Sequence, residues 1–265
     1  MDLNIFHIDA FVSESCKGST ACIVSLDYWL SDEILLKISK RNSVPETAFI
    51  IIKKNKILLR WFTPEIEMDL CGHATLAAAH CIISEFKYNF DKIIFETFSG
   101  KLEVLVKNNT YQLNFPSRNP VHTTLPEIIK KAISIQPKFV LKSRDYILVY
   151  ESEFDIQNIT IDQNIFDKIN LDPGGVCVTS IGNHSDFVSR FFTPQSSILE
   201  DPVTGSAHCS LVPYWSDILK KDTLKALQIS QRRGLLMCEN IGDRVIIGGK
   251  ASIFFKEIVS LNSIL

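Results

Sequence analysis

The chain carries one motif twice, and any fold must accommodate both copies. Arg60-Trp61-Phe62-Thr63-Pro64 runs into Asp69-Leu70-Cys71-Gly72-His73-Ala74-Thr75, and Arg190-Phe191-Phe192-Thr193-Pro194 runs into Glu200-Asp201-Pro202-Val203-Thr204-Gly205-Ser206-Ala207-His208. In each copy Arg-aromatic-Phe-Thr-Pro reads as the end of a strand, and Gly-X-Ala opens a run of small residues that reads as a helix start. The copies stand about 130 residues apart, a period that means two similar halves and not a solenoid. Halves packed face to face would bring the two helix starts into one cleft, where unpaired backbone N–H groups and dipole ends favour an anion. The competing reading is an old duplication that now only builds core. Against it, His73, Asp201, Ser206 and His208 crowd positions where a core would take Leu or Val.

Bulk properties narrow the class. A length of 265 residues suggests about two domains. With 46% hydrophobic and 22% charged residues the composition is that of a soluble globular protein. A net charge of -2 gives no reason to expect nucleic acid as a partner. Seven cysteines, odd in number and without a Cys-x-x-Cys pair, suggest neither a disulfide framework nor a zinc site. Met1-Asp2-Leu3-Asn4-Ile5 does not read as a signal peptide, and no apolar run approaches the ~18 residues of a membrane span. A reducing compartment, most simply the cytoplasm, is the expectation.

Along the chain, alternation in Asn4–Phe11 predicts a strand with one buried face. Ser31–Ser39 reads as a helix capped by Ser31. Glu46 precedes an apolar run that reads as a strand, so its carboxylate sits at a strand mouth. In a helix over about 73–86, Ala74, Ala77, Ala78 and Cys81 form a stripe of small residues that lets neighbouring backbone approach closely. Residues 92–98, 100–106 and 111–115 read as a meander with turns at Ser99-Gly100 and Asn108-Asn109. Phe115–Pro120 is the candidate linker, which divides the chain into 1–116 and 117–250, with 251–265 able to return to the first half. In the second half a helix is expected over 126–134, strands over 146–150, 175–180 and 186–192, a helix limited or kinked by Pro213, and another helix over 216–229. Closing strands are expected over 234–238, 244–248 and 252–258. There is no Gly-x-Gly-x-x-Gly and no Walker loop.

Glu46 is the candidate general base, because shielding at the strand mouth would raise its pKa toward the working pH. An ordinary solvated loop glutamate is the alternative. His73 and Asp201 flank the two helix starts and can donate to or accept from a substrate carboxyl or hydroxyl, although a lone histidine is more often structural. Cys71 would need an opposed thiol to act as a racemase base. Aligning Gly72 with Gly205 pairs Cys71 with Thr204, so the second thiol is missing and Cys71 is expected to be a small packing residue.

These same two blocks resemble the signature blocks of the phenazine-biosynthesis PhzF-like isomerase family. Glu46-Thr47-Ala48-Phe49 is similar to that family's block around its catalytic glutamate, and Asp186–Phe192 and Ser230-Gln231-Arg232 also fit. The resemblance implies an α+β, diaminopimelate-epimerase-like fold: two pseudo-symmetric halves, each a β-sheet rolled around a central helix, with the active site between them. It also implies a homodimer with no metal or organic cofactor. It makes Glu46 the proton-transferring residue, with His73, Asp201 and Ser206 lining the site. The chain departs from the family pattern in three places: Pro45 stands for Ser, Ser19-Thr20 for Asn-Pro, and Arg233 for Gly.

The reading is a cofactor-independent isomerase that moves a proton between carbons of a small carboxylate. Glu46, His73 and Asp201 are its catalytic residues, and Gly72, Ala74, Gly205 and Ser206 bind the substrate. An amino-acid racemase or epimerase and a non-catalytic binding protein on the same fold remain the alternatives.

Overall fold

The computed structural model describes every residue except 55, 89, 108, 172, 173 and 265. The expected turn at Asn108-Asn109 therefore lies partly outside the described residues. Two compact units form: Met1–Asn114 with Gly248–Leu265, and Phe115–Ile247.

The first unit runs β1 (Asp2–Val12), β2 (Ser19–Ser25), α1 (Asp32–Asn42), β3 (Glu46–Lys53), β4 (Lys56–Phe62), β5 (Glu67–Met68), α2 (Gly72–Glu85), β6 (Lys92–Thr97), β7 (Gly100–Lys107) and β8 (Thr110–Pro116). The second runs β9 (Val121–His122), α3 (Glu127–Ala132), β10 (Phe139–Lys142), β11 (Tyr146–Val149), α4 (Glu153–Asn158), α5 (Gln163–Phe166), β12 (Val176–Ile181), β13 (Phe187–Phe192), β14 (Glu200–Asp201), α6 (Gly205–Leu219), β15 (Thr223–Gln228) and β16 (Gly234–Asn240). The chain then returns to the first unit along β17 (Arg244–Ser260), whose later residues pair with β1.

The duplication extends to a series of six strand pairings in each unit. In the first unit β1–β2 is antiparallel, β2–β3 parallel, β3–β4 antiparallel, β4–β5 antiparallel, β4–β6 parallel and β6–β7 antiparallel. The second unit repeats that series with β10–β11, β11–β12, β12–β13, β13–β14, β13–β15 and β15–β16. In both, the principal helix, α2 or α6, follows the two-residue strand and precedes the parallel partner.

The central strands are apolar on both faces because both faces are covered. Cys22, Val24, Phe49 and Ile51 join Leu35 and Ile38 of α1 in one core cluster. Their alternates Ala21, Ile23, Ala48 and Ile50 are fully buried on the other side, where α2 packs on β1, β2 and β3. In the second unit Leu148, Val176, Val178 and Val188 pack with Ile129, Ile156 and Phe166 of the small helices. On the opposite face the Trp215 indole of α6 donates to Thr179 Oγ1 at 2.9 Å.

Several expectations are corrected. Residues 223–228 are strand β15, paired parallel to β13 and antiparallel to β16, so of the helix expected over 216–229 only 216–219 are helical, as the end of α6. The alternating burial of Leu224, Ala226 and Gln228 has the period of a strand. Pro213 lies inside α6, which runs on to Leu219. Ser31 occupies the N-cap of α1, but its side chain makes no capping bond. The strands expected over 244–248 and 252–258 are one continuous strand. Arg233, where the family pattern has glycine, adopts φ 56°, the left-handed backbone that glycine occupies at no steric cost. Gly18 has no such freedom to vary: at φ +70° an added Cβ would collide with the Ala10 carbonyl.

The returning strand is tied down by charge. Arg41 of α1 donates to both carboxylate oxygens of Glu257, at 2.8 and 2.9 Å, and His7 Nε2 of β1 lies 3.0 Å from the same carboxylate. The Arg41 hydrogen bonds, opposed by partial burial and helped by His7, hold Glu257 at about 2. A carboxylate depressed in the folded state contributes stability that is complete above its unfolded value, near 4.5, and is lost as pH falls toward 2. Glu257→Gln is therefore expected to flatten the pH dependence of stability between about pH 4.5 and 2, where the wild type loses it, as read by urea unfolding at successive pH values. An unchanged acid limb would remove this pair as a stability determinant.

Candidate active site

The site in the first unit is built where α2 begins. The helix is alanine-rich and buried nearly all round, including His73, Ala74, Thr75, Leu76, Ala77, Ala78 and Ala79. Its N-cap is Cys71, which is extended and places no side-chain bond on the first-turn amides. Gly72, His73 and Ala74 thus open the helix with N–H groups that the cap residue leaves unserved. Thr75 Oγ1 turns back to the Cys71 carbonyl and fixes the cap backbone.

β3 starts at Glu46 and delivers its carboxylate to this helix start. Glu46 Oε2 lies 2.9 Å from His73 Nε2, with the side chains 16% and 5% exposed. The contact is close without hydrogen-bond alignment, so both atoms remain buried polar groups lacking an aligned partner among the described residues. Cys71 Sγ stands 3.7 Å from the other ring nitrogen, Nδ1. The imidazole therefore lies between a carboxylate and a sulfur. Donor atoms of Glu46, Cys71 and His73 all fall within 4.8 Å of one another. In the present pose the two partners face different nitrogens, which suits proton handling.

Burial pushes the Cys71 thiol up, and the Glu46 charge adds to that rise, so the sulfur keeps its proton near neutrality. Desolvation opposes charge on His73, and it is the charges of its neighbours Cys71 and Glu46 that raise it. With the thiol neutral, the Glu46 carboxylate is the group that holds the imidazolium.

The second unit repeats the arrangement with different side chains. Thr204 is the N-cap of α6, again without a side-chain capping bond, and His208 Nδ1 donates to the Thr204 carbonyl at 2.8 Å, as Thr75 does to Cys71. Burial lowers His208 to about 4, so it is neutral and structural. Asp201 accepts from Thr204 Oγ1 at 2.7 Å and from Val203 N–H at 3.2 Å. Gly205 and Ser206 begin the helix, with Ser206 half-buried.

Glu46, Gly72, His73 and Ala74 are thus brought together in one unit, while Asp201, Gly205 and Ser206 form a second group in the other. Three features went unread in the sequence. Cys71 faces His73, and not packing neighbours alone. Arg60 and Arg190 each grip the carboxylate of the next short strand bidentately, Glu67 at 2.6 and 2.6 Å and Glu200 at 2.7 and 2.9 Å. Gln228, fully buried on β15, accepts from Thr204 N–H at 2.8 Å and donates to the Asp201 carbonyl at 2.7 Å. The repeated arginine stands in both motif copies, but Glu67 lies in the gap of the first copy and nothing local marked Gln228.

The family model for phenazine biosynthesis-like proteins matches residues 8–257. An uncharacterised isomerase of Pseudomonas aeruginosa is 40% identical over 262 residues, 98% of this chain and 100% of its own. The crystal structure of a phenazine biosynthesis protein of the PhzF family from Enterococcus faecalis superposes with a TM-score of 0.93 at 39% identity, over 98% of this chain and 100% of that one. A hydroxyproline epimerase from Agrobacterium vitis shares the fold at a TM-score of 0.61 and 7% identity, over 97% of this chain and 92% of that one.

Two predictions follow from this geometry. Gln228→Leu removes the acceptor of the buried Thr204 amide and the donor to the Asp201 carbonyl, and is expected to cost about 1–3 kcal/mol in urea unfolding. A raised histidine contributes stability that is complete below its unfolded value and is lost as pH rises through the folded one. His73→Asn should therefore be more destabilising at pH 6 than at pH 10, and an equal penalty at both would remove the charged pair.

Proposed function

The chain belongs to the phenazine biosynthesis-like family, and from that premise we propose that this isomerase-type enzyme moves a proton between carbons of a small carboxylate without a cofactor. The observation that carries the reading is the enclosed Glu46–His73 pair at a helix start. A carboxylate in a shielded site is a competent base for a carbon acid, and a paired imidazolium compensates the charge that moves on and off it. Glu46 takes the proton from one carbon and returns it to another. His73 holds the carboxylate in place while it is charged, and its own positive charge compensates the negative charge that develops on the substrate.

The first-turn amides of Gly72, His73 and Ala74, and those of Gly205 and Ser206 in the other unit, are suited to a substrate carboxylate. Such groups are positive, fixed and unserved by their own cap residues. Asp201 is assigned to the same task as a polar partner of the substrate. Its carboxylate is at the same time held by Thr204 and Val203, which orients it.

The racemase alternative asks for a thiolate at Cys71 and a second thiol opposite. The raised Cys71 and the threonine at its counterpart position speak for Glu46 instead. Glu46→Gln is expected to fold normally and lose activity by roughly 10² or more. Near-wild-type turnover would remove Glu46 from the mechanism. Incorporation of deuterium from D₂O into a panel of small carboxylates reads the reaction type: label at a new position marks an isomerase, label at an existing stereocentre a racemase, and no label a binder.

A further inference from the structure

We infer that Cys71 is a positioning residue for the Glu46–His73 pair, its sulfur accepting the Nδ1–H of His73 and turning Nε2–H toward the carboxylate. The inference rests on the proposed role of Glu46, but its basis is the geometry of the ring. Nε2 faces Glu46 at 2.9 Å and Nδ1 faces Cys71 Sγ at 3.7 Å, within reach of a weak hydrogen bond to sulfur. No other polar side-chain atom is recorded against Nδ1 among the described residues.

The need for such a partner follows from the surroundings. His73 is 4% exposed, on the second residue of α2, where the helix dipole and desolvation both disfavour a cation. The titratable groups facing it are Glu46 from β3 and Cys71 ahead of α2. Glu46 can serve one nitrogen only. An Nδ1–H left without an acceptor in this enclosure would either lose its proton or swing the ring away, and in both cases the carboxylate would lose its oriented partner.

The Cys71 backbone is itself immobilised, because its carbonyl receives both the Thr75 hydroxyl and the Thr75 N–H. The sulfur is therefore presented from a fixed point. This assigns Cys71 a task that needs no thiolate, in agreement with its raised pKa. The counterpart Thr204 turns its hydroxyl to Asp201, so both cap residues contact a polar site residue of their own unit.

The test is an NMR titration of ¹⁵N-histidine-labelled protein, with the His73 signal identified by its loss in His73→Asn. In the wild type the His73 midpoint is expected well above the ordinary histidine value. Cys71→Ala should lower it by about one pH unit or more, a tenfold loss of proton affinity, and move the basic limb of the kcat/KM profile down with it. Cys71→Ser, which keeps a polar acceptor and suits an N-cap, should hold the midpoint near wild type and retain most activity. A midpoint unchanged in Cys71→Ala, or equally lowered in Cys71→Ser, overturns the inference. Should Cys71→Ala not fold, the serine variant alone decides by the same criterion. Active Glu46→Gln with a shifted His73 midpoint in Cys71→Ala would sink the proposed reaction and leave this contact standing; inactive Glu46→Gln with no shift would do the reverse.

Discussion

Enclosing a helix on all sides is the constraint on which the rest of this structure depends. α2 and α6 are buried around most of their circumference over their first turns and packed by sheet, so their starts are not turned freely to solvent. A helix start still has N–H groups to satisfy, and a buried unsatisfied amide costs free energy. The cap residues Cys71 and Thr204 do not meet that demand with their side chains. In the first unit the surroundings also hold a carboxylate and an imidazole in close contact, so polar chemistry is concentrated where the core is otherwise dry.

Each helix start has to be held in place by the segment that leads into it, and the two units do this in the same way. The arginine at the end of the long strand takes the glutamate of the short strand in a bidentate pair, a geometry that fixes orientation as well as distance. Arg60 also reaches Asp32 and lies over Trp29, Phe62 and Phe98, whereas Arg190 reaches the carbonyls of Ile156 and Ile159. The intervening loop is longer in the second copy, from Thr193 to Leu199 against Thr63 to Ile66, and both are closed by a backbone bond from the threonine. One physical device thus survives insertion and divergence of its surroundings. What differs is the polar residue that the device presents: His73 in one unit and Ser206 in the other.

The family pattern's glycine at position 233 illustrates how a local departure can be absorbed. Arg233 keeps the left-handed backbone, and its N–H is bonded to Ser230. The Ser230 hydroxyl in turn holds the Pro202 carbonyl of the motif loop. The strain of a side chain at positive φ is of order 1 kcal/mol, small against a turn held by several hydrogen bonds.

Much of this was legible in the chain itself, because it rests on patterns that are local and repeated. Two copies of Arg-aromatic-Phe-Thr-Pro, each followed by Gly-X-Ala, determined two strand-to-helix units. The small-residue stripe determined enclosed helices, and Glu46 before an apolar run determined a carboxylate at a strand mouth. Residues 223–228 misled because a short strand buried on alternate positions, next to a helix end, offers little periodicity to distinguish it. Contacts across sequence distance were decided only by tertiary structure: Glu46 against His73, Glu257 against Arg41, Gln228 against Thr204. Pairing strength between such groups depends on burial and on angles a few tenths of an ångström can spoil, and a linear chain records neither. The residue types of the site were therefore written in the sequence, while the close approach of a carboxylate to an imidazole had to await the packing of α2 against the sheet.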